Sequence, residues 1–194
     1  MKKNTGIGIV SFLIIFLFAL ILIVPQSREI FKSLSASHPF IMGFIKFGLL
    51  ATVGELIAAR LAKKAWLLPD YIGIRALIWG LIGIAITFMM KSYSFAVSGL
   101  IENSVLPGHN CPRAAALFLK AFYTSAIMNL SFGPTFMAFH KCTDKWLELK
   151  AKKAGRSVSD IVSAVDWSGF VSFTLFKTIP LFWIPAHTIT FMLP

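Results

Sequence analysis

Ile7-Gly-Ile-Val-Ser-Phe-Leu-Ile-Ile-Phe-Leu-Phe-Ala-Leu-Ile-Leu-Ile-Val24 carries no charge from end to end. A helix of about 20 apolar residues, rising about 1.5 Å per residue, crosses a hydrocarbon core about 30 Å thick. The run is continuously apolar and does not alternate, which selects a spanning helix over a barrel strand. Four later stretches share this character: Pro39–Leu61, Ile72–Met90, Ala114–Phe139 and Trp167–Leu193. Lipid offers the backbone no hydrogen-bond partners, so each span must close its bonds internally. The reading is an all-α, polytopic transmembrane helical bundle of about five spans. Residues 1–38 form a signal-anchor span and linker, and 39–194 form the bundle.

Composition agrees. Of 194 residues, 57% are hydrophobic and 14% charged, against about 25% charged in soluble domains. Lys2 and Lys3 ahead of the first run would suit a signal peptide, but Val24-Pro25-Gln26 offers no small-residue cleavage site. An uncleaved anchor is expected.

The net charge of +11 would suggest nucleic acid in a soluble domain. Here the cations sort by loop. With the N-terminus inside, Lys2, Lys3, Arg60, Lys63, Lys64, Arg75, Lys141, Lys145, Lys150, Lys152, Lys153 and Arg156 fall inside. Only Arg28, Lys32, Lys91 and Arg113 fall outside. This is the positive-inside pattern. In a bacterial chain it places the protein in the cytoplasmic membrane. The expected partners are the lipid bilayer, anionic headgroups along the basic stretch 141–156, and a second copy of the chain, with no role for nucleic acid.

Connections are short. Pro25–His38 and Ala62–Tyr71 join the first three spans, and Ser92–Ile101 either prolongs the third helix or lies at the interface. Val105-Leu-Pro-Gly108 signals a turn. In the polar stretch Lys141–Asp166, Gly155-Arg156 separates two short helices, and Ser157–Asp160 can start the second. Small residues recur at helical spacing: Gly54, Ala58 and Ala62; Gly73, Ala76, Gly80 and Gly83; Ala121, Ser125, Asn129 and Gly133. Such stripes let helices approach closely in lipid.

No nucleotide loop, nucleophile elbow or zinc-protease motif is present, so no enzymatic role and no cofactor is expected. His109-Asn-Cys111 and His140-Lys-Cys142 have ligand-type residues, but the topology puts them on opposite membrane faces, which disfavours a metal and a disulfide. The intramembrane candidates are Lys177, Glu55, Lys120 and Asn129, with Pro180 and Pro185 as helix kinks. Lys46 and Lys120 lie close enough to a span end to snorkel. Lys177 is about ten residues deep, roughly 15 Å by helix rise, where an ammonium costs several kcal/mol. Pro180 removes an amide and frees the carbonyl four residues earlier, at Phe176. Two readings stand: Glu55 and Lys177 pair and fix helix register, or Lys177 and Lys120 line a polar path that favours anions or gates cations by repulsion.

From about Phe47 to Pro194 the chain resembles the 22-kDa peroxisomal membrane protein family, which includes mitochondrial inner-membrane, channel-like members. Gly54-Glu55 resembles the family's early Gly-Asp, Arg75 the arginine before its Gly-rich helix, and Leu106-Pro107-Gly108 its Ile-Pro-Gly. Near the end, Phe173-Thr174 stands for Trp-Pro and Ile184-Pro185 for Val-Pro. Lys177 and Pro180 replace the family's Gln and Asn, and Ile189 replaces its arginine. The stretches Met128–Asp144 and Lys177–His187 resemble a divergent bacterial branch. The resemblance implies a small pore-forming or transport-related protein for an ion or small metabolite, or else a membrane scaffold without transport. It also implies one further span beyond Pro194.

Overall fold

A computed structural model describes residues 5–193. Lys2 and Lys3, assigned to the inner face, and the terminal Pro194 lie outside the described residues. Among the described residues, five helices are long and apolar enough to cross a membrane. The described chain forms two compact units, Met1–Thr87 and Phe88–Pro194.

The first unit is built by prolines. Helix α1 (Thr5–Ile23) ends where Val24, extended at φ −74° and ψ 120°, precedes Pro25. A residue before proline is pushed out of the helical region, while proline itself suits the first helical turn. Pro25 therefore opens α2 (Pro25–Ser37), and Pro39 opens α3 (Pro39–Lys63) in the same way. The expected linker Pro25–His38 is thus a helix. Its apolar side carries Phe31, packed edge-on to Phe18 of α1 with ring centroids 5.6 Å apart.

Helix α4 (Ile72–Glu102) continues past Lys91 without interruption, which settles the status of Ser92–Ile101. Its first half packs on α3 through glycine. A Cβ on Gly83 would lie 2.5 Å from the Gly43 carbonyl oxygen, and one on Gly48 would lie 3.2 Å from the Ala76 carbonyl oxygen. The small-residue stripe read on α3 is corrected: Gly54, Ala58 and Ala62 are exposed, and Gly43 and Gly48 make the close approach instead. Of the α4 stripe, Gly80 and Gly83 are buried as expected and Ala76 is half-buried, whereas Gly73 is exposed.

In the second unit, α5 (Arg113–Ala151) is the central element. Its buried face is Ala121, Thr124, Ser125, Met128, Asn129 and Gly133, a spacing of three and four that marks one side of a 3.6-residue helix. Helix α6 (Val158–Ala164) begins with a capping box in which Ser157 and Asp160 bond reciprocally. After the short turn α7 (Trp167–Gly169), capped by Asp166, the chain forms a π-helix over Phe170–Trp183 and then α8 (Ile184–Met192). Long π-helical stretches are rare. The wide register alters the expected effect of proline: in an i to i−5 ladder, Pro180 leaves Leu175 without its amide donor, not Phe176. Ile179, 1% exposed, is the core residue of this segment and faces Gly133.

Candidate functional site

The buried polar side chains of the second unit converge between α5 and α8. Ser125, Asn129 and Thr188 are 0%, 2% and 6% exposed. Polar groups taken out of water must be paired, and these are. The Ser125 hydroxyl donates to the Ile184 carbonyl at 2.7 Å, and Thr188 donates to the same oxygen at 2.7 Å. The Asn129 amide nitrogen lies 2.8 Å from the Ser125 carbonyl and 2.9 Å from Nδ1 of His187. His187 stacks on Trp183, with ring centroids 5.3 Å apart.

An amide nitrogen has two hydrogens. One is directed at the Ser125 carbonyl, and the other reaches Nδ1 of His187 in the tautomer that leaves this nitrogen unprotonated. Asn129 Oδ1, 3.2 Å from Nδ1, supplies the acceptor for the alternative protonation. Which of the two contacts is the hydrogen bond follows the His187 tautomer.

Lys120 stands one turn further along the same helix. Thr124, 1% exposed, donates back to the Lys120 carbonyl at 2.7 Å. The Lys120 side chain lines an open cleft of about 500 Å³ with Lys91, Ser94, Ser98 and Phe191. Phe191 lies one turn beyond His187 on α8, so the cleft adjoins the end of the buried polar ladder. From Lys120 to Asn129 the ladder covers roughly 13 Å by helix rise. It holds two cations at its mouth and neutral donors and acceptors within. A Tyr93 hydroxyl 2.7 Å from Ser131 ties α4 to the outer side of α5.

The remaining sequence candidates divide. Glu55, in the first unit, accepts from Trp79 Nε1 at 3.0 Å and lies 3.9 Å from the Arg75 guanidinium. Arg75 in turn donates to the Asp70 carbonyl at 3.2 Å. Lys177 is exposed on the π-helix and forms no ion pair among the described residues. The neighbouring Thr178 hydroxyl donates to the Phe173 carbonyl at 3.1 Å. Pro180 sits within the π-helix, and Pro185 opens α8. Cys111 and Cys142 are free thiols. His140 pairs with Asp144 at 3.3 Å on its own helix.

Sequence reasoning missed His187 and Ser125 as site residues, and Lys91 as a cleft residue. The spacing held a signal for Ser125, because it lies four residues before Asn129 on the stripe. His187 had one too, as a histidine late in an apolar span.

No family model matches the chain, and no curated protein or solved structure matches it.

Proposed function

We propose that this multi-pass membrane protein is pore-forming or transport-related and handles small anionic solutes. The observation that carries the reading is the open cleft whose lining includes both Lys91 and Lys120 with Ser94 and Ser98, on the side of α5 that leads to Thr124, Ser125, Asn129 and His187. Two cations at a low-dielectric mouth concentrate anions, an effect of ten- to a thousandfold on local supply. The hydroxyls and the amide beyond could replace part of a solute's hydration. In the proposed topology the N-terminus is inside the cytoplasmic membrane, and the cleft then opens outward.

Membership of the 22-kDa peroxisomal membrane protein family is part of the same proposal. Its support is that Glu55 and Arg75, two of the residues on which the resemblance rests, form an ion pair. A second reading, a membrane scaffold without transport or enzymatic activity, draws on the ladder's hydrogen bonds. They are satisfied by one another and by backbone carbonyls, as packing contacts between α5 and α8 would be.

Flux measurements separate the two. Purified protein in liposomes is expected to release entrapped chloride or phosphate faster than empty vesicles. Lys120→Gln should lower that rate about tenfold, the low end of electrostatic focusing. Wild-type flux equal to that of empty vesicles, with a range of anions, would overturn the transport reading and favour the scaffold.

A further inference from the structure

We infer that the first unit holds a binding site for one acyl chain of an anionic phospholipid, with the lipid phosphate on Lys46. A groove of about 470 Å³ lies among α1, α2 and α3, and its walls include Leu17, Phe18, Ile30, Leu34 and Ile45. That volume falls within the range of about 300–1,000 Å³ typical of small-molecule sites. Almost the whole lining is apolar. Ser27 reaches it as well, but its hydroxyl is committed to the Ile21 and Val24 carbonyls at 3.0 and 3.1 Å. The polar group left in the groove is the Lys46 ammonium.

Lys46 is partly buried and forms no ion pair among the described residues. The face of Phe31 lies 5.3 Å from its ammonium, a contact that stabilises a cation without neutralising it. The acidic side chain on α2, Glu29, is taken by Arg28 and Lys32 at 3.7 and 3.4 Å. An apolar trough with one uncompensated cation is complementary to an alkyl chain bearing one anionic head. Depth agrees with this assignment. Lys46 is seven residues from the start of α3 at Pro39, roughly 10 Å by helix rise, and its flexible stem can bring the charge to headgroup level. Helix α2 has the form of an interfacial helix: Ile30, Phe31 and Leu34 line the groove, and Arg28 and Lys32 are exposed. The site is separate from the anion cleft of the second unit and does not depend on the transport reading.

The test is lipid retention by the full-length protein in detergent, read by native mass spectrometry. The probes are dioleoyl phosphatidylglycerol, dioleoyl phosphatidylcholine and free oleate at equal concentration. One phosphatidylglycerol per chain is expected, preferred over phosphatidylcholine by roughly fivefold, as one lysine near an anionic headgroup provides. Lys46→Gln should abolish the preference while chain binding persists. Ile30→Trp, which fills the groove from an exposed position, should reduce retention of both lipids. Equal retention of the two phospholipids by the wild type would overturn the inference. So would an unchanged preference in Lys46→Gln, or displacement of phosphatidylglycerol by oleate. If either variant fails to fold, the wild type decides alone. A photoactivatable phosphatidylglycerol should label residues 14–50, and labelling confined to other segments would refute the site.

Discussion

Removing the Asn129 side chain should destabilise the second unit by about 2–4 kcal/mol. Asn129→Ala deletes the hydrogen bonds at 2.8 Å to the Ser125 carbonyl and 2.9 Å to His187. Interhelical hydrogen bonds in membranes average about 0.6 kcal/mol and reach about 1.7. A buried polar atom left unpaired adds about 1–3 kcal/mol, and here that atom is Nδ1 of His187. The informative quantity is the coupling. His187→Phe keeps a ring to stack on Trp183 but removes the Nδ1 acceptor, so a double-mutant cycle between Asn129→Ala and His187→Phe isolates the bond between α5 and α8. Its expected value is about 0.6–1.7 kcal/mol. The assay is reversible unfolding in mixed micelles titrated with sodium dodecyl sulfate, followed by far-ultraviolet circular dichroism. Additivity within about 0.3 kcal/mol would refute the reasoning, because the two side chains would then not share a bond that matters to folding.

Two further outcomes follow from local geometry. Gly83→Ala should cost about 1–3 kcal/mol by overpacking, since its Cβ would meet the Gly43 backbone oxygen at 2.5 Å. Gly73→Ala has nothing within 4 Å and should stabilise α4 by about 0.5–1 kcal/mol through helix propensity; the same micelle titration compares them. The Ser157 hydroxyl, and then its amide, hold the Asp160 carboxyl below the usual range. A carboxylate depressed in the folded state contributes stability above its unfolded pKa of about 3.9, and that stability is lost as pH falls through the lower folded value. Protection of the Val158–Ala164 amides, taken relative to their intrinsic exchange rates, should therefore fall on acidification in wild type, and Ser157→Ala should weaken that dependence while the backbone amide contact at position 157 remains.

The spans were legible because lipid imposes a simple demand: long, continuous apolar runs that close their own hydrogen bonds. The stripe Ala121, Ser125, Asn129 and Gly133 was legible for a related reason, since a repeat of four keeps residues on one helix face. The same rule misled on α3. Gly54, Ala58 and Ala62 fit the repeat but are exposed, whereas the packing glycines, 43 and 48, are five apart and fit it poorly. Glu55 was matched with Lys177 by depth, which overlooked Arg75 and Trp79 of the next helix, both within reach of its carboxylate. Helix α2 was hidden by its polar run, although Pro25 and the spacing of Ile30, Phe31 and Leu34 are helical signals. Lys91 was read only as a loop cation, because nothing in a one-dimensional pattern brings it beside Lys120. The π-helix was the least legible feature. Pro180 within it and Pro185 just beyond it signal interruption of an α-helix but do not specify the wider winding.

That wide winding acts as a phase setter. Each residue of an α-helix advances the chain by about 100° around its axis. Deleting one residue between Phe170 and Trp183 would therefore turn α8 by roughly a quarter of a turn relative to α5. His187 and Thr188 would swing off the face that meets Ser125 and Asn129, with every side chain of the ladder still present. The polar ladder thus depends on the length of a segment that contributes no hydrogen-bonding side chain to it.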